Sequence, residues 1–401
     1  MTEVQAGERA RRTATRDRRR LFVAMMTTQG AFGGFQTLWP LYIAALGASP
    51  SQVGLVIGLV EAMRLGALLP VGVLGERFAP KWVITGGLLL KVLALVLYAL
   101  AGTWWQLLPA GFLFAVGAIF PAILAEIAAV AGDGPERVRT FTLMNTVAPA
   151  IGLLIAPAIA GLIAARASLH GVFLFAALLT AAAAGLFATL APRPPAPAQP
   201  VAVTYRSTLA QQAIRRWLLL EMAAVFALGL GITLIPNYLH DYQGVSNGAI
   251  GFFASLSAAG SIVLGLLVHR VPALRQPVRG VTLALGASAL ALLLVLAGQS
   301  LPAFVAAYVL IGGFFATWTL FEAALSGVTP AAYRARTYAL AELMSGAGIS
   351  LAPFIAGVLY ERDPRAPVLA GLVCIVTLVA AMFAMDRRGA LPASHLPEEA
   401  T

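Results

Sequence analysis

Long apolar runs alternate with short polar segments along nearly the whole chain. Charged residues, prolines and glycines separate the runs, and each run is about 20 to 28 residues long. A helix crosses a hydrocarbon core about 30 Å thick with roughly 20 apolar residues. The pattern therefore predicts an all-α membrane protein with twelve transmembrane helices. The predicted spans are residues 21–46, 51–75, 82–103, 104–131, 139–165, 168–190, 216–240, 247–268, 278–298, 301–327, 334–360 and 366–385.

The composition supports a membrane assignment. Of 401 residues, 60% are apolar and 11% are charged, whereas soluble globular proteins average about 45–50% and about 25%. Such a chain cannot cover its surface with polar groups, which excludes an ordinary soluble enzyme and a disordered protein. Twelve spans use about 240–260 residues, so no room remains for a second soluble domain.

A proline-rich segment from Pro192 to Pro200 divides the spans into two sets of six. Because prolines make a linker semi-rigid, we interpret this segment as a connection between two six-helix bundles. The predicted parts are a basic cytoplasmic tail at 1–20, a bundle at 21–190, the linker at 191–215, a bundle at 216–386 and a cytoplasmic tail at 387–401.

The basic residues predict an orientation. The net charge is +10, and seven of the 27 Lys and Arg residues lie in the first twenty positions. With the N-terminus inside the cell, three basic residues occupy outer loops, two lie within spans and the other 22 face the cytoplasm. The five exceptions are Arg166, Arg362, Arg365, Arg64 and Lys91. The positive-inside rule thus places both termini in the cytoplasm of a multi-pass protein of the plasma or inner membrane. The basic tail then serves orientation beside anionic lipid rather than nucleic-acid binding.

The two halves repeat each other at an offset of about 196 residues. Four matches occur in the same order in both halves. They pair Pro40 with Pro236, Glu126 with Glu322, Arg139 with Arg336, and residues 152–161 with residues 348–357. Each half holds an even number of spans, so both halves enter the membrane from the same side. This is a parallel repeat about an axis along the membrane normal.

The longest match has the form Gly-x-x-x-Ala-Pro-x-x-Ala-Gly in spans five and eleven. Small residues let neighbouring backbones approach, and proline removes a helical hydrogen bond and bends the span. We interpret the motif either as a bend that helps one side open or as close packing, and both can hold. Its bend or packing residues are Gly152, Pro157, Gly161, Gly348, Pro353 and Gly357.

The segment after span two resembles the loop motif of the major facilitator superfamily, Gly-x-Leu-small-Asp-Arg-x-Gly-Arg-Lys. Residues 72–81 read Gly-Val-Leu-Gly-Glu-Arg-Phe-Ala-Pro-Lys, so five positions match. The resemblance covers residues 20–387 and implies the superfamily fold, two parallel-repeat six-helix bundles of a secondary transporter. Within the superfamily, the chain resembles the drug-efflux-like branch, and the subfamily is not resolved. Leu113 replaces the span-four Arg of drug–proton antiporters, and Ala156-Pro157 replaces their Gly-Pro.

What the resemblance implies for this loop is a conformational lock. Glu76 would lie near Arg336 at the N-terminus of span eleven, where the helix dipole favours an acid. Arg77 would meet Glu126. The alternative is that Arg77 and Lys81 serve orientation alone. The residues assigned to the lock are Gly72, Gly75, Glu76, Arg77, Lys81, Glu126, Arg139, Glu322 and Arg336.

Charged residues at membrane depth cost several kcal/mol unless they are paired or wetted. The deepest predicted group is Glu61, Arg64 and Lys91, with Glu61 and Arg64 three residues apart on one helix face. These residues are candidates for substrate or ion coupling, or else for structural pairing. Glu221 and Glu322 lie nearer the cytoplasmic ends of their spans, at a depth that water reaches.

The predicted cavity offers few other polar side chains. Gln29 and Gln36 share one face of span one, and Asn237 lies on span seven. Span eleven has Glu342 where span five has Asn145. We take Glu342 as the candidate proton site, since a carboxyl group in a poorly solvated cavity can bind and release a proton near neutral pH. An apolar, aromatic cavity with a few amides suits amphipathic molecules better than sugars.

These features predict a non-enzymatic secondary transporter with alternating access that exports a small amphipathic organic molecule in exchange for protons. One alternative is uptake of a small organic anion, with Arg64 and Lys91 as its partners. Another is a receptor or scaffold of the same fold that moves nothing. We expect a monomer in the lipid bilayer that binds a small-molecule substrate and protons, and no cofactor, metal or nucleic acid. The single cysteine, Cys374, excludes an internal disulfide.

Overall fold

A computed structural model of the chain describes residues 3–117, 122–123, 126–127, 130, 136–192 and 204–389. These residues fold into helices joined by short turns, with no β-strand among them. The α-helices are α1 Glu3–Gln36, α2 Trp39–Ala45, α3 Pro50–Arg77, α4 Pro80–Leu100, α5 Leu107–Val116, α6 Glu136–Thr142, α7 Ala148–Arg166, α8 Leu169–Ala188, α9 Tyr205–Ala210, α10 Gln212–Ile232, α11 Ile235–Gln243, α12 Asn247–Arg270, α13 Pro277–Ala297, α14 Leu301–Val328, α15 Arg334–Arg362 and α16 Ala366–Arg387.

Ten helices within the described residues are long and apolar enough to cross a membrane. They coincide with predicted spans two, three and five to twelve. The first predicted span corresponds to the end of α1 together with α2. The fourth begins with the shorter apolar helix Trp104–Val116 and continues into a stretch that the described residues cover only in part. The all-α membrane architecture expected from the apolar pattern is confirmed.

Spans one and seven break at equivalent places. α1 ends at Gln36 and α2 begins at Trp39, while α10 ends at Ile232 and α11 begins at Ile235. The second residue of each restarted helix is a proline of the sequence repeat. Because proline has no backbone N–H, the hydrogen bond that would continue the helix across the break cannot form. The sequence repeat therefore produces a repeated local structure.

The turns that follow these broken spans also repeat. Gly47 after α2 has φ +86°, and Gly244 after α11 has φ +65°. Both lie in the left-handed region, which glycine adopts at no steric cost. The two glycines end their helices and turn the chain into α3 and α12.

Contacts divide the chain into two compact units. The first unit contains residues 1–42, 63–199 and 246–255, and the second contains residues 43–62, 200–245 and 256–401. Each unit therefore includes a segment from the other half of the sequence, namely the start of α12 in the first unit and the start of α3 in the second. The bundle boundaries drawn at the linker stay a prediction, because a linker shows where one repeat ends and not which helices pack together.

Buried apolar residues join the helices of each unit. In the first unit α1 packs along α7 and α8, and α4 packs along α8. Leu21, Ile84 and Phe187 are fully buried in one hydrophobic cluster of that unit. In the second unit α10 packs along α15 and α16, and α13 packs along α14. The Trp217 ring meets the Phe321 ring edge-on there, with centroids 5.9 Å apart.

The first glycine of each repeated motif lies where two helices almost touch. A Cβ on Gly152 of α7 would overlap the carbonyl oxygen of Met26 on α1. A Cβ on Gly348 of α15 would lie 2.9 Å from the carbonyl oxygen of Met222 on α10. The two partners occupy equivalent positions of the repeat, so the same contact occurs once in each unit. These distances favour close packing as the role of both glycines.

The last glycine of each motif contacts the segment that has joined its unit. A Cβ on Gly161 would lie 2.6 Å from the carbonyl oxygen of Gly248 on α12, within the first unit. A Cβ on Gly357 would overlap the carbonyl oxygen of Pro50 at the start of α3, within the second unit. Both glycines therefore permit close backbone contact between helices that come from different halves of the sequence.

Candidate functional site

Three glutamates from three packed helices lie close together in the second unit. Glu221 is on α10, Glu322 on α14 and Glu342 on α15, and each pair of these helices is in contact. The charges of Glu322 and Glu342 act on Glu221, and that of Glu342 acts on Glu322. We call these three residues the carboxyl cluster. Ionised together they would repel one another, so the cluster favours a bound proton or cation.

Exposure to solvent differs across the carboxyl cluster. Glu221 is 1% exposed, and its Oε2 atom is buried without a hydrogen-bond partner. Glu342 is half-buried, and Glu322 is exposed. The Trp318 side chain hydrogen-bonds the Glu322 carboxyl. The cluster thus joins a carboxyl at the surface of the second unit to a buried one.

Glu61, Arg64 and Lys91, the predicted deep charges, are all partly buried. Glu61 and Arg64 are three residues apart on α3, at the place where the chain passes from the second unit to the first. The Lys91 ammonium lies 4.9 Å from the centre of the Phe114 ring in the first unit, at cation–π distance. A ring face attracts the charge of an ammonium group.

The polar residues predicted to line a cavity stand beside aromatic side chains in the first unit. Gln29 and Gln36 are half-buried on α1. Between them, the Phe32 and Phe35 rings have centroids 5.8 Å apart, and the Phe35 ring lies 5.8 Å from that of Phe114. An aromatic group of this kind, edged by two amides, is compatible with contact to an amphipathic molecule.

The other two predicted cavity residues lie in different units. Asn145 is half-buried in a π-helical turn, Leu143–Val147, that joins α6 to α7 in the first unit. Asn237 is 5% exposed on α11 in the second unit. Such π turns are frequent at functional sites.

The predicted lock residues are placed in several environments. Glu126 is fully buried, and Arg77 and Arg139 are exposed. The guanidinium of Arg336 lies 4.5 Å from the centre of the Tyr205 ring. Glu322 belongs to the carboxyl cluster, which gives it neighbours that the repeat alone does not indicate. Gly72 and Gly75 lie on α3, while the side chain of Glu76 is outside what the structure describes. The lock stays a prediction.

Lys81 hydrogen-bonds the C-terminal end of span six. Its side chain is 7% exposed, and its Nζ donates a hydrogen bond to the carbonyl oxygen of Leu190 at 3.0 Å. Arg20 donates to the neighbouring carbonyl oxygen of Thr189 at 2.8 Å. Asp17, 2% exposed, accepts from the backbone N–H of Ala191 at 3.3 Å. A helix C-terminus exposes unpaired carbonyl groups that cations satisfy, so these residues fasten α8 where the linker begins.

The chain matches a family model over residues 21–289, and that model describes the Major Facilitator Superfamily. The match covers more than half of the chain, and together with the helical membrane fold it establishes that the chain belongs to this superfamily. The protein is therefore a member of a superfamily of membrane transporters, by sequence and by fold.

Curated relatives are similar over a limited stretch. Multidrug resistance protein MdtG of Salmonella arizonae is 31% identical over 109 residues, which are 26% of this chain and 27% of that protein. MdtG of Salmonella newport matches to the same extent. The match thus spans about a quarter of the length of these relatives.

Solved structures resemble the chain over nearly its whole length. A mutant of the nucleoside transporter NupG has a TM-score of 0.79 at 15% identity, covering 92% of this chain and 99% of that one. A mutant of the peptide transporter POT with bound sulfate has a TM-score of 0.74 at 15% identity, covering 94% and 95%. A bacterial homologue of the human lysosomal transporter Spinster, inward-facing and unoccupied, has a TM-score of 0.71 at 16% identity, covering 94% and 97%. These likenesses establish the fold.

Proposed function

We propose that this transporter exports a small amphipathic organic molecule in exchange for protons, and that the carboxyl cluster carries the proton. The observation that supports this most is Glu221, a carboxyl group 1% exposed, with one oxygen unpartnered and two other carboxyls near it. A buried charge without compensation is costly, so this group is expected to change its protonation as its surroundings change.

Coupling follows if protonation favours one conformation over the other. A ligand shifts an equilibrium only by its difference in affinity for the two states. A proton on Glu221 removes the repulsion from Glu322 and Glu342, and so stabilises the packing of α10 against α14 and α15. Loss of that proton restores the repulsion and favours any conformation in which water reaches the carboxyl. The substrate would drive the same change through its own preference for one state.

The amphipathic substrate class is supported by the aromatic side chains and amides of α1 and by the partial similarity to MdtG. The name of that relative refers to multidrug resistance. The match covers about a quarter of it, and we extend to this chain only the expectation of export.

The experiment is proton-driven transport of ethidium, an amphipathic cation, in proteoliposomes with an imposed pH gradient. Glu221→Gln is expected to abolish accumulation driven by the gradient, because a neutral amide cannot exchange a proton. Ethidium exchange without a gradient should persist, since the site for the organic molecule is retained. Asp386→Asn, a carboxyl change near the end of α16 outside the cluster, is the matched control and should behave as the unaltered protein.

Accumulation of ethidium by Glu221→Gln at the rate of the unaltered protein would contradict the proposal. Loss of both driven transport and exchange would point to a damaged fold, which a thermal unfolding curve distinguishes.

Uptake of a small organic anion is the second candidate, and Lys91 supports it. Its ammonium lies against Phe114 in the first unit, and Arg64 is partly buried in the same unit. Thermal stabilisation by a panel of dyes, antibiotics, carboxylates and sugars at pH 6 and pH 8 separates the two candidates, because a ligand of the folded state raises its stability. Stabilisation by carboxylates alone, lost in Arg64→Ala, would replace export with anion uptake.

A further inference from the structure

Three tyrosines meet at one end of the second unit, which the positive-inside rule places outside the cell. Tyr238 and Tyr242 of α11 stack with ring centroids 5.9 Å apart at 21°. The ring of Tyr360, near the end of α15, meets that of Tyr242 at 6.3 Å and 67°. We call these residues, with Asp241 between the first two in the sequence, the outer tyrosine cluster.

The cluster holds a buried polar group without a partner. Tyr360 is 6% exposed, and its hydroxyl makes no hydrogen bond. The hydroxyl of Tyr238, by contrast, accepts a hydrogen bond from Gln243 Nε2 at 3.1 Å. The charge of Asp241 and the hydroxyls of Tyr242 and Tyr238 lie within electrostatic range of the Tyr360 hydroxyl. An orphaned buried hydroxyl costs free energy, and a ligand would satisfy it.

Three charged residues near the cluster make contacts of their own, and one of them, His240, also acts electrostatically on Asp241. Glu361 accepts a hydrogen bond from the backbone N–H of Ser51 at 3.1 Å. His240 places its Nδ1 atom 3.2 Å from the carbonyl oxygen of Val245. Asp363 accepts from the backbone N–H of Arg365 at 2.8 Å. Asp241 is thus the carboxylate that the cluster itself contributes.

The internal repeat shows that the fold does not require this cluster. Tyr42 occupies the position of Tyr238 in the first half, but the positions of Asp241, Tyr242 and Tyr360 are there taken by Ala45, Leu46 and Ala164. An exposed tyrosine near a membrane surface often serves as an anchor. That role does not account for a buried hydroxyl beside an acid, so the second half carries a feature added to the common scaffold.

We propose that the outer tyrosine cluster binds an organic cation, an alkylammonium or a similar group, at the outer end of the second unit. Aromatic faces attract such cations. A carboxylate nearby adds its own attraction, because its negative charge compensates the positive charge of the ligand. The Tyr360 oxygen accepts a hydrogen bond from an ammonium N–H. The inference rests on the proposed function in that it makes the exported molecule cationic and gives it a contact on its way out.

The test is equilibrium dialysis of the purified full-length protein with tetraphenylphosphonium, which carries no N–H, and with benzylammonium, which does. Asp241→Asn and Tyr242→Leu are expected to weaken both probes about tenfold. Tyr360→Phe keeps the ring and should weaken benzylammonium alone. Asp363→Asn removes the same charge from the same end of the unit and should change either affinity less than about twofold.

Asp241 is exposed and Tyr242 is 59% exposed, so their substitutions leave the core intact. Equal affinity in Asp241→Asn, Tyr242→Leu and the control would overturn the inference, as would the absence of binding of both probes. If cation binding is lost in Glu221→Gln alone, the cluster is not a site, while the proposed export still stands. If binding depends on Asp241 but no transport follows a pH gradient, the site stands and the proposed export fails.

Discussion

At the scale of single residues, burial and neighbouring charges distinguish the members of the carboxyl cluster from one another. Glu221, Glu322 and Glu342 look alike in the sequence, each a few residues inside the predicted cytoplasmic end of a span. The structure makes them different, since Glu221 is 1% exposed and Glu322 lies at the surface of the unit. Depth along a helix can be read from the sequence, but the direction in which a carboxyl points is set by the packing of the helices. The choice of Glu342 alone as the proton site stays untested.

Glycines at helix contacts allow a sharp test at this scale. A Cβ on Gly54 of α3 would overlap the Pro353 carbonyl oxygen of α15, within the second unit. Gly54→Ala is therefore expected to destabilise the protein by about 1–3 kcal/mol, the usual effect of overpacking. Thermal unfolding in detergent measures the loss.

Gly66→Ala is the matched control, because it lies on the same helix and a Cβ there meets nothing within 4 Å. It should leave stability unchanged or raise it slightly, since alanine favours the helix. Equal melting temperatures for the two variants would show that α3 does not approach α15 so closely.

At the scale of elements, local breaks were partly predictable. The repeated prolines Pro40 and Pro236 mark the places where span one and span seven break, because proline removes a helical hydrogen bond in both. The fastening of α8 was not predictable, since Asp17, Arg20 and Lys81 come from two distant parts of the sequence. The sequence motif suggested a lock or an orientation role for Lys81. Its hydrogen bond to Leu190 adds a third role, which is to stabilise the end of α8.

Lys81→Met tests this fastening. The change leaves the buried Leu190 carbonyl without its donor, and the expected cost is about 1–3 kcal/mol. Arg19→Met is the control, because Arg19 is an exposed basic residue beside Arg20 on the same helix, and exposed substitutions usually change stability by less than about 0.5 kcal/mol. Thermal unfolding of both variants decides the matter, and equal curves would remove Lys81 from the structural role.

At the scale of the whole molecule, the two contact units cut across the sequence repeat. Residues 43–62 pack with helices of the second half, and residues 246–255 pack with helices of the first. Glycines make these contacts possible, with Gly161 against Gly248 in one unit and Gly357 against Pro50 in the other. The repeat predicts two similar bundles, but backbone contacts determine which segments belong to each compact unit.

The predicted orientation is tested by labelling single cysteines in intact cells. Cys374→Ser removes the native cysteine. On that background, Ala167→Cys, in the exposed turn after α7, is expected to react with a membrane-impermeant thiol reagent, because the positive-inside rule places this turn outside. Gln276→Cys, in the exposed turn before α13, should react only after the cells are opened. The reverse pattern would invert the topology and with it the proposed direction of transport.

The sequence by itself determined the membrane class, the helical content, the places of most spans and the superfamily, because long apolar runs, prolines and a loop motif are local properties of the chain. Tertiary structure alone decided which side chains meet. It brought Glu221 within electrostatic range of Glu322 and Glu342, placed Tyr360 against Tyr242 and within electrostatic range of Asp241, and let Lys81 bond the end of α8. Those contacts join residues from about 100 to about 120 positions apart, and only the packing of helices side by side closes such distances.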